Sequence, residues 1–324
     1  MKKIIVCLVM AVALAAPPGL VAAQTLPAMP GLPSFGTPGD FSIGNPSVYG
    51  GWVSSAGPVS YWGEDAATGQ SLKYEYRASA LYLGAALPFA LGPNWGTFIL
   101  TVAGTVPATQ NGSQQVYDPT LAITDWYTQW RADTYWGTAE GLWVFPALGG
   151  PALGASLLGG FRYDCWQTTS KSPIEGVPPI ALAPVGNMFL TVNSYVPFFG
   201  LMTRAGGLTV GAVGFPYVIG NGLDKQSMNG QSVEMSGVFN RGYFFETFLE
   251  YELPAPGSFV GSDFSMSLFA KYSTIEVRSD VTATRTVPPA APVQQSADFT
   301  LRRSLLILGA KGTLNFDLPG LLPY

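Results

Sequence analysis

There is no histidine anywhere in this 324-residue chain, and that absence excludes more chemistry than any motif present. Without an imidazole, Ser-His-Asp and Cys-His nucleophile systems are impossible, and so is histidine-ligated zinc. Cysteine is nearly as scarce, with two in all. Cys7 lies in an N-terminal leader, which leaves Cys165 alone. No intrachain disulfide and no thiolate metal site can then form, and Cys165 reads as a small apolar side chain. Charge is scarce as well. Asp, Glu, Lys and Arg make up 11% of the chain, less than half the usual share of about 25%. The formal net charge is −4, and no basic patch exists to neutralise phosphates, so nucleic acid is excluded as a partner. Long apolar helices are also missing. Gly141 to Phe161 is uncharged and long enough for a helix to cross a bilayer, but it contains Pro146, Pro151 and several glycines. Such a stretch reads as strand, turn, strand. Gly150-Pro151-Ala152-Leu153-Gly154 is therefore a turn and not a phosphate cradle. No cofactor or metal motif is present.

What the chain does contain begins with that leader. Lys2 and Lys3 precede an apolar segment, Ile4 to Ala16, and Val21-Ala22-Ala23 forms a small-residue cleavage site before Gln24. This is the pattern of a secretory signal peptide, 1–23. A Pro/Gly-rich lead-in without periodicity follows, 24–45. The remainder divides into a patterned region, 46–316, and a short tail, 317–324, whose prolines bar a regular strand.

The patterned region alternates at period two, as a strand does when its two faces meet different surroundings. From Asp133 to Thr168, one face carries Tyr135, Ala139, Trp143, Phe145, Leu157, Phe161 and Tyr163. The other carries Thr134, Trp136, Glu140, Arg162, Asp164 and Trp166. In Phe264–Tyr272 the apolar set is Phe264, Met266, Leu268, Ala270 and Tyr272, opposite Ser265, Ser267, Phe269 and Lys271. In Ser71–Ala85 it is Leu72, Tyr74, Tyr76, Ala78, Ala80 and Tyr82, opposite Lys73, Glu75 and Arg77. Ten strand candidates emerge, at Pro46–Ser54, Ser71–Ala85, Gly96–Val106, Arg131–Phe145, Gly154–Thr168, Asn187–Phe198, Gly206–Val218, Val233–Leu253, Gly261–Val277 and Phe299–Phe316. The last changes phase near Arg302-Arg303, where a bulge is expected. Short spacers (86–95, 146–153, 199–205, 254–260) alternate with longer ones (55–70, 107–130, 169–186, 219–232, 278–298).

An even strand number, two-faced strands and alternating short turns and long loops resemble bacterial outer-membrane β-barrel proteins as a class. The resemblance covers Pro46 to Phe316 and implies an all-β fold: a transmembrane antiparallel up-and-down β-barrel of about ten strands. It also implies export to the outer membrane of a Gram-negative bacterium, with both termini on the periplasmic side. The strand count is similar to that of omptins, the outer-membrane proteases. Omptins rely on an Asp-His pair, and this sequence lacks the histidine, so no catalytic residue carries over and no enzymatic role is expected. Glu64-Asp65, Asp118 and Asp125 fall in predicted external loops, either as solvated acids or as bridges to lipopolysaccharide through divalent ions.

The charges on the predicted inner face are the candidate functional residues: Lys73, Glu75, Arg77, Glu140, Arg162, Asp164, Glu246, Glu250, Glu252, Asp263 and Lys271. Glu140 is expected beside Arg162, and Glu246 beside Lys271. Two roles remain open for them. They line a narrow lumen that passes small solutes, as in a porin, or they pair and plug a non-conducting barrel whose role is structural or interaction-bearing. The second reading draws on the bulky inner residues Trp136, Trp166, Phe244, Phe248 and Phe269, since a barrel of about eight strands is filled by its own side chains. An apolar interior also suits a hydrophobic solute. The expected partners are membrane lipid, lipopolysaccharide and a small solute.

Overall fold

A strand with one lipid-compatible face leaves its backbone donors and acceptors to be satisfied by neighbouring strands, and a membrane admits no open sheet edge. The chain meets this condition by closing on itself. The computed structural model describes residues 42–65, 69, 71–91, 95–118, 123–146, 148–150, 153–173, 187–228, 231–254, 263–286 and 289–315. Among them there is no helix, and seventeen strand segments form one antiparallel sheet with a ring through ten strands. These ten are β1 (Ser47–Ser55 and Val59–Asp65), β2 (Ser71–Tyr76 and Ser79–Ala90), β3 (Thr97–Thr105 and Ala108–Asp118), β4 (Ile123–Val144), β5 (Leu153–Pro173), β6 (Asn187–Ala205), β7 (Leu208–Phe215 and Ile219–Met228), β8 (Gln231–Phe239 and Arg241–Glu252), β9 (Asp263–Thr286) and β10 (Val293–Asn315). Each pairs with its sequence neighbour. β10 pairs with β1, from Thr313 opposite Ser47 to Ala297 opposite Asp65, which closes the ring.

Three of the five interruptions have a chemical cause. Pro58, Pro107 and Pro216 lie at the breaks inside β1, β3 and β7, where a residue without an N–H cannot serve the ladder. The bulge expected near Arg302-Arg303 lies instead in the partner strand. β10 keeps unbroken register with β9, whereas β1 jumps from Ser55 opposite Leu305 to Ser60 opposite Arg302. At the short-turn end, β6 and β7 are joined by Gly206 and Gly207 alone, with Gly206 at φ +59°. A two-residue hairpin needs such a left-handed position.

All ten expected strands are present, but they run further than expected. Most of the predicted long loops are strand: Val59–Asp65, Ala108–Asp118, Ile219–Met228 and residues 293–298 at the start of Val293–Asn315 all lie in the ladder. Glu64, Asp65, Asp118 and Asp125 accordingly sit on strands. β9 has 24 residues, whereas a membrane crossing takes about 9–11. The outer face of β9 marks the boundary. It is apolar through Met266, Leu268, Ala270 and Tyr272, and carries charge from Glu276 onward through Arg278 and Asp280. The rest of the wall, roughly 30 Å at the usual rise and tilt, stands beyond the lipid. The lipid band continues around the barrel through exposed Leu306 and Leu308, Val48 and Trp52, Leu81 and Leu83, Leu157 and Phe161, Phe199 and Leu201, and Phe245 and Leu249.

The core is the lumen itself. Beyond the lipid band it is packed with Tyr61, Tyr74, Phe239, Phe299, Leu301, Val277 and Val281, all nearly inaccessible. Phe239 stacks on Phe299 with ring centroids 4.9 Å apart, and Tyr61 meets Phe299 edge-on at 4.9 Å. Tyr61 donates its hydroxyl hydrogen bond to Asp224. Burial, with the Asp224 carboxylate beside it, holds this hydroxyl well above the usual phenol range, and Tyr74 is raised for the same reasons.

Candidate functional site

Alternation on β4, β5, β8, β9 and β10 turns one charged residue after another toward the axis. The central one is Arg162, whose side chain is 1% exposed. Its Nη1 donates to Glu246 Oε2 at 2.5 Å, and its Nε and Nη2 donate to Asp164 at 3.0 and 3.2 Å. Glu140 lies directly opposite on β4, but its Oε2 is 3.7 Å from Nη1, an ion pair without a hydrogen bond. Lys271 reaches the other oxygen of Glu246 at 2.8 Å. Arg303 from β10 approaches Asp164 Oδ1 at 3.2 Å. Three carboxylates thus face three cations, which is the balance that burial demands, since a lone buried charge is costly.

Aromatic rings complete the plug. The Arg303 guanidinium lies 5.0 Å from the ring centroids of both Trp136 and Trp166. Arg162 lies 5.0 Å from Phe244, so both cations gain from ring faces where water is excluded. Trp136 Nε1 donates to Asp164 at 2.7 Å, and Tyr82 stacks on Trp136. One level further along, Trp166 Nε1 donates to the Tyr76 hydroxyl, which also bonds Thr168. Among the described residues Arg303 Nε and Nη2 make no hydrogen bond, the Asp164 contact being ionic in geometry. Toward the short-turn rim the lumen opens into a cavity of about 180 Å³. Tyr49 forms part of its wall, and its ring lies so close over Gly84 that an added Cβ would sit 2.3 Å from it.

The structure brings together Glu140, Arg162, Asp164, Glu246 and Lys271 from the expected set. Glu250 lies nearer the rim, bonded to Lys311 at 2.9 Å and to Ser267 at 2.7 Å. Glu252 is at the rim, exposed and paired with Arg204 at 2.7 Å. Asp263 begins β9, and its side chain lies outside the described residues. Lys73, Glu75 and Arg77 require correction. They lie on the outer wall, and Tyr74, Tyr76, Ala78, Ala80 and Tyr82 turn inward. The rule that apolar faces lipid reverses once the strand leaves the bilayer, because the outer face then meets water. The same outer face of β2 is charged at Lys73 and Glu75 and apolar at Leu81 and Leu83, inside the band. Arg303 and Lys311 were missed. Up to Ser304 the outer face of β10 is polar, with Thr300, Arg302 and Ser304 opposite Leu301 and Leu305, and from Leu306 onward it is apolar, so alternation alone does not orient Arg303. Its register opposite Ile275 does.

No family model matches the chain, and no curated protein matches it in sequence. Among solved structures, the chain is similar to the outer membrane protease OmpT from Escherichia coli. The TM-score is 0.63 at 13% identity, over 86% of this chain and 97% of that one. The fold is that of an outer-membrane β-barrel. The outer membrane protein OprG from Pseudomonas aeruginosa also aligns, at 12% identity over 84% of this chain and 97% of that one, with a TM-score of 0.37.

Proposed function

We propose that the protein is a sealed outer-membrane barrel that conducts no solute and acts through its surfaces. The observation that carries this reading is the central plug: Trp136, Arg162, Asp164 and Arg303, each at most 2% exposed, pack across the lumen. Beyond the lipid band the interior is packed as a protein core is. Ten strands lie near the filled end of the barrel series, and water-filled channels come with about sixteen. The inner charges then serve as structural pairs, which favours the interaction-bearing reading over porin-like passage or the carriage of a hydrophobic solute. The reading is non-enzymatic, because the omptin Asp-His pair cannot be formed by a chain without histidine.

In this reading the leader directs export and is cleaved, and the barrel sits in the outer membrane of a Gram-negative bacterium with its short-turn end toward the periplasm. The wall beyond the lipid is then the surface offered to partners. Arg241, Arg278 and Arg302, exposed just above the apolar band, fit contact with lipopolysaccharide phosphates. The test is solute efflux from vesicles carrying the refolded protein. Small ions and sugars are expected to leave at the rate of protein-free vesicles, and a faster, size-selective efflux would overturn the reading.

A further inference from the structure

We propose that the cavity at the short-turn end is a binding site for a compact, single-ring organic ammonium ion. The site goes beyond the sealed-barrel reading and is tested separately from it.

The size comes first. The cavity holds about 180 Å³, and an apolar cavity of about 150 Å³ in another protein takes up benzene. One ring with a short substituent fits. The walls are aromatic and aliphatic, with Tyr49, Phe198, Phe248, Phe269 and Leu142 among them. Tyr49 and Phe269 meet edge-on with ring centroids 5.8 Å apart, and both border the cavity. Access lies at the rim, where Glu250 and Lys311 are about one-third exposed.

The sign of the guest's charge follows from the hydrogen-bond accounts of the lining. Three carboxylates, Glu140, Glu246 and Glu250, and two ammonium groups, Lys271 and Lys311, border the space. Glu246 is satisfied by Arg162 and Lys271. Glu250 is satisfied by Lys311 and Ser267. Glu140 is different. Two cations act on it, Lys271 and, at 3.7 Å, Arg162, but both make their short bonds elsewhere, Arg162 to Asp164 and Glu246 and Lys271 to Glu246. Among the described residues Glu140 therefore presents a carboxylate without a hydrogen bond to the cavity, where a charge-assisted bond is strong. An ammonium group supplies the missing donors, and the surrounding rings of Tyr49, Tyr82 and Phe269 favour a cation over an anion. A carboxylate guest would meet Glu140 as a like charge.

The experiment is fluorine NMR titration of the full-length protein in micelles with para-fluorobenzylamine, beside para-fluorotoluene, para-fluorobenzoate and protein-free micelles. The wild type is expected to bind the amine saturably, about tenfold or more tightly than the neutral or anionic probe. Glu140→Gln should weaken amine binding about tenfold or more and leave the neutral probe unchanged. Ala86→Phe, which places a ring in the cavity from β2, should abolish binding of all probes. Amine uptake no greater than that of empty micelles, equal binding of the neutral probe, or amine binding unaltered by both substitutions would each overturn the proposal. If Glu140→Gln fails to fold, the probe comparison on the wild type and the filled variant still decide it. Current across a planar bilayer reports on the seal and is independent of this result.

Discussion

Replacing Arg162 with methionine is the sharpest probe of how this barrel is held together. Methionine approximates the length of the arginine stem and removes the guanidinium. In the parent, Glu140, Asp164 and Glu246 face Arg162, Arg303 and Lys271 in a balanced set. The substitution leaves three carboxylates against two cations, in surroundings where Asp164 and Glu246 are nearly inaccessible. Removing one member of a buried ion pair costs about 3–5 kcal/mol, most of it for the charge left behind. The double variant Arg162→Met with Glu246→Gln restores two against two, so it should recover about 1–3 kcal/mol through coupling. Glu246→Gln alone leaves an excess cation and should also destabilise. The assay is urea unfolding in detergent, followed by tryptophan fluorescence, because Trp136 and Trp166 line the same plug. Heat-modifiable gel mobility checks that each variant folds. If Arg162→Met lies within about 0.5 kcal/mol of the parent and the cycle is additive, the charges are not paired as described. The sequence alone suggests a simple Glu140–Arg162 pair. The distances make Asp164 and Glu246 the stronger partners, so the Glu140 cycle should show the weaker coupling.

Two further outcomes test the faces and the upper core. Leu268 lies at the middle of the apolar outer set of β9 and is 50% exposed, so Leu268→Arg should cost about 2–4 kcal/mol in a bilayer, read by urea titration in vesicles; a loss under about 1 kcal/mol would place that face away from lipid. Tyr61 and Tyr74, beyond the lipid band, have hydroxyls raised by burial. The folded state favours the neutral phenol, so the stability they contribute is intact below the ordinary phenol value of about 10 and falls as pH rises above it. Ultraviolet titration should show both remaining un-ionised past that value while the protein stays folded, and ordinary titration of all tyrosines would contradict their burial.

Inside the bilayer the strands are legible, because lipid on one side and a lumen on the other force period-two alternation. Asp133 to Thr168 is such a stretch, and its faces fall as the sequence implies, with Phe161 out and Arg162 in. Beyond the bilayer the code changes. Water wets the outside and side chains fill the inside, so polar segments such as Ala108–Asp118 remain strand without an apolar outer face. This is why stretches that read as loops are wall, and why β2 appears inverted when judged by its tyrosines. The site is legible in part for the same reason. Charges within apolar alternation, Glu140, Arg162, Glu246 and Lys271, declare their face. Arg303 sits where the outer face turns from polar, at Arg302 and Ser304, to apolar, at Leu306 and Leu308, and only pairing with β9 orients it.

Current through single refolded molecules in a planar bilayer tests the central claim most directly. A lumen closed by Trp136, Arg162, Asp164 and Arg303 predicts no unit steps from the wild type at voltages where an open porin gives them. Discrete, reproducible steps from the wild type would contradict the sealed barrel.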